Sequence, residues 1–159
     1  MDPLTEKCRL KYISSQKKDD ESHNEYYARI KSEFIDNALN KQYTFKGLPI
    51  IFKTFTNKEG EVECFYHTIT AQDKDGTAVR KKDVQRYRKC LLVFVILDHC
   101  TCNHIQCPQL TIKPDYNNDD RISIYCAKYE FVIILEKKPT NYEYVTGFPV
   151  SKHNVDKYL

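Results

Sequence analysis

The chain has 159 residues, 41% of them hydrophobic and 30% charged, with a formal net charge of +3. That length suits one soluble globular domain with a substantial core. The first twenty residues lack the apolar stretch of a secretory signal. The longest apolar run, Cys90 to Leu97, has 8 residues, against the ~20 needed to span a bilayer. Seven cysteines without a secretory signal point to a reducing compartment, the cytoplasm, and to free thiols or a metal site rather than a disulfide framework.

In chain order, residues 1–21 balance five acids against five bases with few apolar positions, and are expected to form a flexible lead-in. The single domain is expected over 22–159. Ser22 followed by Glu25 makes a capping box, and Tyr27, Ile30, Phe34, Ile35, Ala38 and Leu39 follow helical spacing, which predicts a helix from Ser22 to Asn40. Leu48–Phe55 and Glu61–Thr70, rich in aromatic and β-branched residues, read as strands joined by the Thr56–Gly60 turn. Asp83 caps a second helix reaching about His99, whose C-terminal half is apolar nearly all round. Leu110–Lys113, Arg121–Cys126, Phe131–Glu136 and Tyr142–Thr146 then read as a β-meander, with a short helix after Ser151. The expected fold class is α+β, with N-terminal helices packed on a twisted antiparallel sheet of four or more strands.

The chemistry concentrates in one region. His67 ends the aromatic run, and residues 80–89 carry six cations and one acid. A proton-transfer group beside concentrated positive charge suits work on a phosphodiester, where cations hold phosphate and imidazole moves protons. Each piece also has an ordinary reading. A histidine at a strand end can bond backbone, and a Lys/Arg run is commonly a solvated helix face.

Several short motifs recur in a known order. They are Phe45-Lys46-Gly47, Tyr66-His67-Thr68-Ile69-Thr70, Arg86-Tyr87-Arg88, Val132-Ile133-Ile134-Leu135-Glu136-Lys137-Lys138 and Tyr144-Val145-Thr146-Gly147-Phe148. In this order the chain resembles the barnase–EndoU–colicin–RelE-like (BECR) nuclease superfamily, in its phage-associated branch, over roughly residues 45–159. The resemblance implies a metal-independent endoribonuclease, a toxin of a toxin–antitoxin or phage-conflict system. It assigns catalytic positions to His67, Arg86, Lys137 and Thr146. The cysteine-rich loop after the second helix departs from the family pattern.

The mechanism this implies uses the RNA 2′-OH as nucleophile. His67 serves as acid or base, Arg86 grips phosphate in two-pronged fashion, Lys137 supplies a point charge and Thr146 positions a non-bridging oxygen. Products are a 2′,3′-cyclic phosphate and a 5′-hydroxyl. Arg80, Arg88, Lys89 and Tyr144 are candidates for holding the rest of the nucleic acid, Tyr144 by stacking. The ordinary alternatives are solubilising charges and strand packing. Arg86 and Arg88, two apart on one helix, point in different directions, so at most one faces a cleft.

His99-Cys100-Thr101-Cys102-Asn103-His104-Ile105-Gln106-Cys107 is the remaining feature. Cys100, Cys102, His104 and Cys107 offer a candidate structural zinc set, though without paired C-x-x-C knuckles. The alternative is a reduced, irregular loop. No other cofactor is expected. The expected partners are RNA and an antitoxin or immunity protein, with no membrane. A non-catalytic nucleic-acid-binding module and a phage–host protein-interaction module are the competing readings.

Overall fold

The computed structural model describes residues 12–72, 80–100, 109–115 and 118–159. A helix, α1, runs His23–Asn40. Ser22 Oγ accepts from the Glu25 amide at 3.1 Å, which is the first half of the expected capping box, while the Glu25 carboxylate takes the Ser22 hydroxyl proton rather than the Ser22 amide. Tyr26, Ile30 and Phe34 make its buried stripe. The lead-in meets α1 between Ser14 and Glu21. The Arg29 guanidinium bonds the Ser14 and Gln16 carbonyls and pairs with Glu21 at 2.8 Å, pinning that stretch against α1.

β1 (Tyr43–Phe45) and β2 (Leu48–Ile51) form a hairpin. Lys46 and Gly47 both have positive φ, the requirement of a two-residue turn whose twist matches its strands. Beyond β2, Asn57 Oδ1 accepts from the Glu59 and Glu61 amides at 3.0 Å and closes the expected Thr56–Gly60 turn. The strand expected over Glu61–Thr70 is instead a helix, α2 (Glu63–Ile69). Its buried residues are Cys64, Phe65, Thr68 and Ile69. That spacing covers one helical face, whereas in a strand each adjacent pair would straddle the sheet. The β-branched residues are reconciled with the helix end by back-bonding. Thr68 Oγ1 donates to the Cys64 carbonyl at 2.7 Å and Thr70 Oγ1 to the Tyr66 carbonyl at 2.6 Å.

β3 (Thr70–Gln72) and β4 (Arg80–Lys82) form a separate two-stranded ribbon. The single helix expected after Asp83 is two: α3 (Val84–Lys89) and α4 (Leu92–Cys100). Asp83 caps α3, accepting from the Gln85 and Arg86 amides. The chain turns inward at Cys90, which is fully buried, and the Leu91–Leu97 run dives into the core.

Strands β5 (Leu110–Asp115), β6 (Asn118–Cys126), β7 (Phe131–Lys137) and β8 (Tyr142–Pro149) form the expected meander. The six-stranded sheet has the order β1-β2-β8-β7-β6-β5. It is antiparallel except where β2 runs parallel to β8, a pairing confined to Ile50–Tyr142 and Ile51–Glu143. Past Glu143, α2 and α3 pack against β8 in place of a strand. The terminal segment is one 3₁₀ turn, Val155–Lys157.

The sheet has two buried faces. Phe131, Ile133, Leu135, Tyr142 and Tyr144 join the main core with Phe34, Phe52, Phe65 and Phe94. Tyr125, Val132, Ile134, Val150 and Tyr158 form a smaller cluster on the other face, edged by Val145 and Phe148. Cys64, Cys90 and Cys126 are reduced and buried, as expected of small core residues. The fold is α+β.

Candidate functional site

The site is built where the last turn of α2 meets β8. Register along β8 is the deciding feature. Leu135 pairs with Tyr144 but Ile134 pairs with Thr146, so Val145 is an extra residue, a β-bulge. Strict alternation would send Thr146 to the main-core side with Tyr142 and Tyr144. The bulge turns it to the opposite face, alongside Phe148. There Thr146 is only 9% exposed, and its Oγ1 is buried with no hydrogen-bond partner.

Two guanidiniums close on the C-terminal end of α2. Arg80 donates Nε–H to Thr70 Oγ1 at 2.9 Å, and Nη2–H to the carbonyls of Thr70 (2.8 Å) and His67 (3.2 Å). Arg86 donates Nη1–H to the same Thr70 carbonyl at 3.3 Å. The rest of the Arg86 guanidinium lies over the Phe148 ring, 5.0 Å from its centroid. Cations at a helix C-terminus are favourably placed against its dipole. Burial works against the Arg86 charge, partly offset by Asp83.

His67 lines a cavity of about 150 Å³ together with Lys53, Glu63, Cys64, Arg121, Glu136, Glu143, Tyr144 and Val145. Its Nδ1 is buried without a partner. Burial first, then the Arg80 charge, push the imidazole pKa down to about 4, with Arg86 and Lys53 adding to the effect and Glu63 opposing it. The ring is therefore neutral near pH 7. The acids around it are mostly engaged. Glu143 pairs with Lys53 at 3.1 Å, Glu136 with Lys138 at 2.9 Å, and Glu63 accepts from Asn57 Nδ2 at 3.1 Å.

His67, Arg86 and Thr146 thus gather around β8, although His67 ends a helix rather than a strand. Lys137 does not join them. It is exposed, pairs with Tyr142 in the ladder, and alternation puts its side chain on the face opposite Glu136. The cations that line the cavity are Lys53 and Arg121, which sequence reasoning missed. Lys53 follows a strand that ends early, and Arg121 became visible only once the β6–β7 register set it across from Glu136. Arg80 binds backbone rather than projecting outward. Arg88 is exposed and Lys89 half-buried, both displaced from Arg86 around α3. Tyr144 is not available for stacking a base. It is 2% exposed, lies 4.7 Å from the Phe52 ring in a stacked pair, and bonds Thr68. Cys102, His104 and Cys107 of the candidate zinc set lie outside the described residues, as does the Cys100 side chain. Among the described residues, no helix is long and apolar enough to cross a membrane.

Comparison of the chain with models of protein families, with curated proteins and with solved structures gives no match.

Proposed function

We propose that the protein is an endoribonuclease of the BECR-like type, working without a metal cofactor, and that it acts as a toxin held in check by a partner protein. The observation that carries this reading is a neutral imidazole, its Nδ1 unpaired, in the last turn of α2 where two guanidiniums close, with an unpaired threonine hydroxyl on β8, the strand that α2 packs against. The order of elements, helices followed by an antiparallel meander, agrees with that superfamily.

In this mechanism neutral His67 takes the proton from the RNA 2′-OH. The 2′-oxygen attacks phosphorus, the P–O5′ bond breaks, and the departing 5′-oxygen takes its proton from water. Arg86 and the Thr146 hydroxyl stabilise the non-bridging oxygens as negative charge grows there. A bound phosphodiester places negative charge beside the imidazole and raises its pKa towards the working range, which makes it a better base than in the free protein. Two of the carboxylates around the cavity, Glu143 and Glu136, hold lysine partners, which reduces their repulsion of the substrate.

The test is cleavage of a mixed-sequence RNA by the purified protein, with and without EDTA, and by His67→Asn. The wild type is expected to give 2′,3′-cyclic phosphate ends in EDTA, and His67→Asn to lose at least about a hundredfold in rate. RNA left intact by the wild type overturns the enzyme. Retained RNA binding in that event favours the non-catalytic module, for which the exposed Lys82 and Arg88 side chains provide surface charge.

A further inference from the structure

We infer that Arg80 is a positioning residue, its guanidinium tying the last turn of α2 to β4 and thereby fixing where His67 stands over β8. The inference rests on the reading of His67 as the working group of the site, although its main readout needs no RNA.

A helix of seven residues has little stability of its own, and its last carbonyls are unsatisfied unless something caps them. In α2 the Tyr66 carbonyl is met by the C-cap residue Thr70, but the donors to the His67 and Ile69 carbonyls come from outside the helix. The Ile69 carbonyl accepts from the Asp83 amide at 2.8 Å. The carbonyls of His67 and Thr70 accept from Arg80, which also holds Thr70 Oγ1. One planar side chain therefore spans residues 67 and 70, and reaches them from β4, the strand that leads directly into Asp83 and α3. Arg86 on α3 shares the Thr70 carbonyl, so Arg80 is also what sets the spacing between the imidazole and the second guanidinium. A lysine offers one point charge and cannot reproduce this fork.

The charged groups around His67 come from every packed element. They are Glu63 on α2 itself, Arg80 on β4, Arg86 on α3, Lys53 after β2, and Arg121, Glu136 and Glu143 across β6, β7 and β8. Glu143 and Glu136 already hold lysine partners, and Glu63 holds Asn57. Removing Arg80 therefore changes the field at the ring in a direction the others do not compensate.

The experiment follows the His67 ring protons by NMR across pH in the wild type, Arg80→Lys and Arg80→Ala, with amide exchange read at Ile69 and Thr70. Arg80→Ala is expected to move the His67 midpoint up by about half a unit to one unit, and to speed exchange at α2's end about tenfold or more. Arg80→Lys is expected to keep most of the midpoint but not the exchange protection. If Arg80→Ala fails to fold, the Lys variant alone carries the test through that split. Unchanged titration and exchange in a folded Arg80→Ala protein overturn the inference, as does full protection in Arg80→Lys. If the wild type cuts RNA, both variants should lower kcat more than they raise KM. If it does not, the ribonuclease reading fails while the NMR result still decides the role of Arg80.

Discussion

The hydroxyls of Tyr144 and Thr68 meet at 2.6 Å inside the core, joining β8 to α2 one residue away from His67. Thr68 has one proton, and it is committed to the Cys64 carbonyl at 2.7 Å. Tyr144 must therefore be the donor. Burial raises the Tyr144 pKa well above that of a free phenol, so the donor stays protonated at any working pH.

An asymmetry follows from that direction. Tyr144→Phe removes the donor and leaves Thr68 still donating, at a cost of about 1 kcal/mol. Thr68→Val leaves a phenol O–H buried with no acceptor, at a cost of roughly 2–3 kcal/mol. Urea unfolding of the two variants should rank them in that order. An equal or reversed ranking would show that the phenol finds another acceptor.

Gly147 gives a packing prediction. Its backbone conformation is ordinary, but an added Cβ would stand 2.8 Å from Val93 Cγ2 and 3.0 Å from the Phe131 ring. Gly147→Ala should therefore cost about 1–3 kcal/mol through overpacking. Val93→Ala alone should also destabilise, by leaving a cavity. The double variant should recover more than half of the Gly147→Ala loss, read as a coupling energy in denaturant melts. Additive losses would mean that β8 shifts bodily instead of clashing with α4.

Much of this architecture is legible in the sequence. The Ser22 cap, the Thr56–Gly60 turn, the Asp83 cap and the four meander strands each rest on local chemistry, and all of them form. The failures share a physical origin. Glu61–Thr70 has the composition of a strand, and only its packing against β8 and the cap from Arg80 make it a helix. Thr146 faces the site because of a bulge that leaves no mark in Tyr144-Val145-Thr146-Gly147. Lys137 sits two residues beyond Leu135 on β7, where alternation rather than proximity decides its face. Arg80 reads as one more surface cation until its three carbonyl and hydroxyl contacts are seen.

The imidazole of His67 predicts a dependence of stability on pH. Its pKa is about 4 when folded and near 6.5 when unfolded. Between those values the unfolded chain binds the extra proton. Stability is therefore full above about pH 6.5, falls as pH drops towards 4, and flattens below that for this group. Full linkage would be about 3 kcal/mol, and partial access of water to the ring reduces it to roughly 1–2 kcal/mol. Urea midpoints at pH 4.5 and 7 should differ by more in the wild type than in His67→Asn. Glu21, held down to about 2 by its bond with Arg29, acts in a lower window, below pH 4.5, and is present in both proteins. Equal pH slopes for the two would show that His67 titrates normally in the fold.

Thr146 separates a working hydroxyl from a structural one. Its Oγ1 is buried and makes no hydrogen bond, so the group has lost its hydration without compensation. Valine has nearly the same shape and no polar atom. Thr146→Val should leave stability unchanged or raise it by up to about 1 kcal/mol. A threonine kept for packing would show that effect alone. If the hydroxyl instead meets a phosphate oxygen beside Arg86, the same stable variant should cut RNA about tenfold or more slowly, because a donor to developing charge has gone. Stability from thermal melts and cleavage rate, measured on one preparation, should therefore move in opposite directions. Wild-type cleavage by a stabilised Thr146→Val protein would remove Thr146 from the site and leave His67 and Arg86 to carry it.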